Sequence, residues 1–148
     1  MIGRVVHIGV TVTNLEKSMD FYENILGLKL TGKMVMKGKE TDALFNMENV
    51  EVKIAYYNGS DELLCPPVEL LEFSNGKKAP CELNQTSISE ICFIVKDIDK
   101  TYERLKSKGV QFLSEPQFFD FTSDGFGKSK AVYFKDNDGI ILELMEYL

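Results

Sequence analysis

Tryptophan is absent from this chain of 148 residues, histidine occurs once, arginine twice and cysteine three times. A single imidazole means that no site needing two histidines can be built from one chain. The two arginines are Arg4 and Arg104, and 17 Lys and Arg against 23 Asp and Glu leave a net charge of −6. That balance excludes a nucleic-acid or anionic-membrane surface, because phosphate binding needs clustered cations. Cys65, Cys81 and Cys92 are odd in number and show no C-x-x-C spacing, so neither a disulfide framework nor a thiolate zinc site is expected. Reduced thiols point to the cytoplasm. No apolar run approaches the ~20 residues of a membrane-spanning helix. The valine-rich start is broken by His7 and followed by no small-residue cleavage site, so it is not read as a signal peptide.

What is present is a core and a repeat. A hydrophobic share of 44% rules out intrinsic disorder. The length matches one domain of roughly 100–150 residues. Val5 to Val12 alternates as a strand, and Thr13-Asn14-Leu15-Glu16 has the T-x-x-E form of a capping box. Leu15, Met19, Tyr22, Ile25 and Leu26 recur at helical spacing up to Gly27, a C-terminal cap. The pattern returns when His7 is laid on Glu90, which places Leu15 on Ile98, Met19 on Tyr102 and, after one deletion, Gly27 on Gly109. Val68-Glu69-Leu70-Leu71-Glu72 likewise matches Leu142-Glu143-Leu144-Met145-Glu146. These landmarks lie 90 − 7 = 83 and 143 − 69 = 74 positions apart, so the first half is nine residues longer. Strands are expected over 29–36 and 50–57 in the first half, and over 111–113 and 130–134 in the second. An Asn137-Asp138-Gly139 turn then leads into the last strand. The fold class is therefore α+β: two βαβββ modules, roughly 1–76 and 87–148, joined by a linker over 77–86. Neither module buries both sheet faces alone, so the two should pair.

Alternation sorts the side chains by face. Ile8, Val10 and Val12 should pack on the helix, leaving His7, Gly9 and Thr11 on the other face. Ile91, Phe93 and Val95 repeat the packing face, with Glu90 in the place of His7. Glu69 and Glu143 correspond to each other, whereas Glu72 and Glu146 fall on the opposite face and are expected to be solvent-exposed. Glutamate inside a strand is costly unless paired or bound to metal, so His7, Glu69, Glu90 and Glu143 form the candidate site. Asp136 and Asp138 are read as a turn. The segment 118–128, FFDFTSDGFGK, is read as either a pocket lid or an ordinary hairpin loop.

HIGVTVTNLEKSMDFYENILGLKL, VELLEF and AVYFKDNDGIILELME resemble the vicinal oxygen chelate superfamily, which includes glyoxalase I, methylmalonyl-CoA epimerase, extradiol dioxygenases, and the fosfomycin and bleomycin resistance proteins. The resemblance implies one glyoxalase-like domain over 1–148, its two modules paired into a curled, cup-shaped mixed sheet with helices on the outer face. It also implies a homodimer and one divalent metal ion per site. Its ligand positions fall on His7, Glu69, Glu90 and Glu143, with Glu90 standing where glyoxalases and epimerases usually carry a second histidine. One imidazole and three carboxylates would suit Ni, Co, Mn, Zn or Mg, and disfavour the two-histidine dioxygenase and fosfomycin-modifying chemistries. No organic cofactor is implied. The activity implied is that of a lyase or isomerase, related to lactoylglutathione lyase or to an epimerase, which moves a proton next to a metal-polarised carbonyl. Glu143 is the first candidate for the base and Glu69 the second. Thr11 stands where glutathione-using glyoxalases commonly place an arginine, so a clamp for glutathione carboxylates is poorly supported. The alternative is a non-catalytic resistance protein of the bleomycin-binding type, whose acidic cup sequesters a cationic small molecule.

Overall fold

The computed structural model describes residues 7–58, 68–84, 88 and 90–148. Two compact units divide the chain, Met1–Ala79 and Pro80–Leu148. The first contains β1 (Ile8–Thr11), α1 (Leu15–Asp20) running on into a π-helical turn (Phe21–Leu26), β2 (Lys29–Lys37), α2 (Lys39–Phe45), β3 (Glu51–Asn58) and β4 (Val68–Phe73). The second contains β5 (Ile91–Ile94), α3 (Ile98–Ser107), β6 (Gln111–Phe112), β7 (Gln117–Phe121), a 3₁₀ turn (Thr122–Asp124), β8 (Gly127–Lys135) and β9 (Ile141–Tyr147). No helix among the described residues is long and apolar enough to cross a membrane. The class is α+β, with two mixed sheets.

In the first unit the strand order is β1-β4-β3-β2, with β1 parallel to β4 and the remaining pairs antiparallel. The parallel pair follows from the connection, because α1 carries the chain away from β1 and the β2–β3–β4 meander returns it alongside. The helix starts one residue later than a T-x-x-E box would have it. The ladder reaches Val12, whose N–H donates to Leu71 O at 2.8 Å, and Asn14 is the cap, its Oδ1 accepting the Lys17 N–H at 2.9 Å. Gly27 closes the helix at φ +84, the left-handed region where a Cβ is penalised. One face of the sheet (Val10, Val12, Ala55, Tyr57, Val68 and Leu70) is buried, as are Leu15, Met19 and Tyr22 of the helical segment. Each such side chain contributes about 1.5–3 kcal/mol by leaving water. On the opposite face, Val50, Val52, Ile54 and Leu71 pack with Met36, Phe45, Tyr56 and Phe73. Phe45 belongs to α2, which accommodates most of the nine extra residues, and its ring meets Phe73 edge-on at 5.1 Å.

The second unit repeats the plan with order β5-β9-β8-β6, β5 parallel to β9, and β7 also on β8. β6 and β7 pair with successive parts of β8, at Phe134–Lys135 and Gly127–Ala131 respectively, so together they make one strand broken near Pro116. Asp97 caps α3 by accepting the Lys100 N–H at 2.9 Å. Ile98, Tyr102 and Leu105 are buried along with Phe134, Leu142 and Leu144. The segment 118–128 is a hairpin, because the β7 residues Gln117–Phe121 are laddered to β8 and only the five residues 122–126 form the tip. Asp136 accepts the N–H groups of Asp138 and Ile140 at 2.9 and 2.8 Å, which makes the turn into β9 a side-chain-stabilised one.

Candidate functional site

Two of the expected ligands meet in the first unit. Gly9 is in register with Glu69, and Glu69 with Tyr56, so the three neighbouring strands present these residues at one level of the sheet. His7 Nε2 lies 3.2 Å from Glu69 Oε2, with the imidazole 45% exposed and the carboxylate side chain 9% exposed. Tyr56 OH donates to the other oxygen, Glu69 Oε1, at 2.7 Å. That bond, reinforced by burial, holds the phenol up to about 12, so Tyr56 is a permanent donor. Gly9 keeps the space open, since a Cβ there would stand 3.2 Å from Leu71 Cδ1 and 3.5 Å from Glu69 Oε2.

The second unit repeats this arrangement with different chemistry. Cys92 stands at the Gly9 position, in register with Glu143, and Tyr133 at the Tyr56 position. Glu143 is buried, and loss of hydration pushes its carboxyl above the usual carboxylate range. A hydrogen bond from the Cys92 thiol opposes that rise and the negative charge of Glu90 adds to it. Burial first, then the hydrogen bond to Glu143 and repulsion by its charge and that of Glu90, push the Cys92 thiol up to about 12. Cys92 is therefore a hydrogen-bond donor to Glu143 and a poor nucleophile.

Among the described residues no three His, Cys, Asp or Glu side chains group into a metal-holding cluster. The donor chemistry nonetheless fits a divalent ion. Two ligand atoms in adjacent octahedral positions ~2.1 Å from an ion stand ~3.0 Å apart, close to the 3.2 Å between His7 Nε2 and Glu69 Oε2. A neutral imidazole and a carboxylate are ordinary partners for such an ion.

The sequence reading of Glu72 and Glu146 needs correcting. Both lie on the helix-facing side at the ends of their strands, where they meet helix N-termini and are part-buried. Glu72 Oε2 accepts the Leu15 N–H at the start of α1, and Glu146 Oε2 accepts the Ile98 N–H at the start of α3 at 2.8 Å. The unsatisfied N–H groups of a helix N-terminus attract a carboxylate, which explains why both halves keep one there. The Leu15 contact, with Lys53 in support, draws the Glu72 carboxyl below its usual range. The two tyrosines beside the site glutamates were not singled out from sequence. The signal for them is the echo of Lys53-Ile54-Ala55-Tyr56-Tyr57 in Lys130-Ala131-Val132-Tyr133-Phe134.

Comparison with known proteins follows the same outline. The family model of the Glyoxalase/Bleomycin resistance protein/Dioxygenase superfamily matches residues 4–144. Human mitochondrial methylmalonyl-CoA epimerase is 26% identical over 145 residues, covering 97% of this chain and 73% of its own. The metallothiol transferase FosB of Staphylococcus haemolyticus is 29% identical over 146 residues, covering 97% and 84%. The crystal structure of a glyoxalase family protein from Bacillus cereus superposes with a TM-score of 0.82 at 22% identity, covering 100% of this chain and 96% of that one, and so shares the fold. With the repeated strand–helix–meander plan and a match over nearly its whole length, the chain belongs to the Glyoxalase/Bleomycin resistance protein/Dioxygenase superfamily.

Proposed function

We propose that the protein is a metal-dependent lyase or isomerase, of the glyoxalase I or epimerase kind, that moves a proton on the carbon next to a substrate carbonyl. His7 and Glu69, with Glu90 and Glu143, would hold the divalent ion, drawn from Ni, Co, Mn, Zn or Mg. When bound, that ion supplies a Lewis acid that polarises the carbonyl and stabilises negative charge on its oxygen. The observation that carries the reading is His7 Nε2 standing 3.2 Å from Glu69 Oε2, the spacing of two ligands to one ion, and the buried carboxylate of Glu143 is the candidate base. Cys92 gives Glu143 a hydrogen-bonded orientation. Glu69 is held on both oxygens, by Tyr56 and by His7, and is the poorer candidate for accepting a proton.

The substrate class is a small molecule with an acidic C–H beside a carbonyl, such as a thioester or an α-hydroxy carbonyl compound, acted on by a homodimer in the cytoplasm. The test is incorporation of solvent deuterium into candidate thioesters and hemithioacetals by the metal-loaded protein. Wild type should exchange the α-hydrogen and Glu143→Gln should not. Equal exchange by the two proteins would remove Glu143 from the role of base, and no exchange with any carbonyl compound would defeat the enzymatic reading. A net charge of −6 supports one competitor, a binder of cationic antibiotics. That competitor predicts no exchange, and a rise in melting temperature with a bleomycin-type glycopeptide, worth about 2.7 kcal/mol at a hundredfold excess over Kd.

A further inference from the structure

Tyr56 sits at a register irregularity in the first sheet. The β2–β3 register slips between Leu30, opposite Tyr57, and Gly32, opposite Tyr56, leaving Thr31 as the extra residue of a bulge. Thr31 Oγ1 donates to the Tyr56 carbonyl oxygen at 3.1 Å, so the bulge grips the backbone behind the phenol. Bulges re-aim side chains and recur beside functional sites. Here the side chain so fixed reaches across to β4 and donates to Glu69 Oε1 at 2.7 Å, while its ring stands edge-on to His7 with centroids 6.2 Å apart. Thr31, Tyr56, Glu69 and His7 therefore form one chain of contacts that ends at an imidazole nitrogen beside a carboxylate oxygen.

We infer that Tyr56 is a positioning residue that fixes the denticity of Glu69: the phenol engages Oε1 and presents Oε2 alone beside His7. This rests on the metal-dependent reading above. A glutamate held in this way offers one oxygen. That suits small ions of octahedral preference, and disfavours calcium, which needs more oxygens and often takes both from one carboxylate. The outer partner of a ligand thus contributes to which ion the half-site selects, as outer partners generally tune metal affinity.

The experiment titrates the metal-free protein with Co(II) and with Ca(II) by isothermal calorimetry, in wild type and Tyr56→Phe. Wild type should prefer Co(II). Removing the hydroxyl frees Oε1, so the ratio of the two dissociation constants should move toward Ca(II) by roughly tenfold or more, within the 10–100-fold range of outer-partner changes. A general loss of packing would weaken both ions together and leave the ratio where it was. Thr31→Val, which releases the backbone behind the phenol, should shift the ratio the same way by a smaller factor, and serves if Tyr56→Phe does not fold. An unchanged ratio in the folded variants, with Co(II) bound by wild type, overturns the role of Tyr56 and leaves the metal-dependent reading standing. A wild type that binds neither ion overturns both.

Discussion

Glu72 offers a charge that can be removed while its hydrogen-bonding shape is kept. Glu72→Gln retains an oxygen able to accept the Leu15 N–H but abolishes the negative charge at the start of α1. A carboxylate at a helix N-terminus contributes about 0.3–1 kcal/mol, and more where partly buried. Solvent screening at this part-buried position argues for about 0.5–1 kcal/mol at neutral pH. In a chain of this size each kcal/mol moves the midpoint by about 2–4 °C. Glu72→Ala removes the acceptor as well and should cost a further ~0.5–2 kcal/mol, the range found for lost N-caps. The pH dependence follows from the lowered folded-state pKa, caused first by the Leu15 hydrogen bond and then by Lys53. A depressed carboxylate stabilises above its unfolded value, and the contribution is lost as pH falls through the folded value. The gap between wild type and Glu72→Gln should therefore be flat from pH 8 to pH 5 and close as pH falls below the ordinary value of 4.5. Urea unfolding across that range measures it. A gap absent at pH 7, or one that persists unchanged at pH 3, would refute the helix-anchor assignment.

The repeat makes Glu146→Gln the matched experiment, with a loss of similar size at neutral pH, since Glu146 accepts the first N–H of α3. Tyr57→Phe should lose about 1–3 kcal/mol in chemical denaturation, because the fully buried ring places its hydroxyl 2.6 Å from Glu23 Oε1. Cys92, with its thiol pushed up to about 12, should be about one part in ten thousand thiolate at pH 8 and resist alkylation in peptide mass spectrometry despite its exposure. Rapid alkylation there would show that the thiol is not held by Glu143.

Much of the architecture was legible because the two halves of the chain carry it twice. Ile8 to Val12 and Ile91 to Val95 alternate, Gly27 marks a left-handed cap, and the Glu69 and Glu143 segments fall at equivalent positions beside the first strand of each half. What escaped lacked a local signal. α2 spans only Lys39–Phe45 and starts at Gly38 without a side-chain cap, so its one visible trace was the nine-residue excess. β7 was masked by glycines at 125 and 127, which bound the hairpin tip and the next strand rather than an irregular loop. Glu72 and Glu146 were misplaced for a tertiary reason. Period-2 counting put them on the helix-facing side correctly, but the end of a strand on that side meets a helix N-terminus, where a carboxylate is welcome. The site glutamates were legible as misfits in apolar strands. Their partners Tyr56 and Cys92 were not, because tyrosine and cysteine look at home there.

The central claim is a divalent ion held by His7 and the site glutamates, and elemental analysis tests it most directly. Protein purified without chelator is soaked in Ni(II), Co(II), Mn(II) or Zn(II), freed of excess, and its metal content compared with that of His7→Ala treated identically. We predict one ion per site in wild type and none retained by the variant. A wild type that holds no metal, or a variant that holds as much as wild type, would contradict the account.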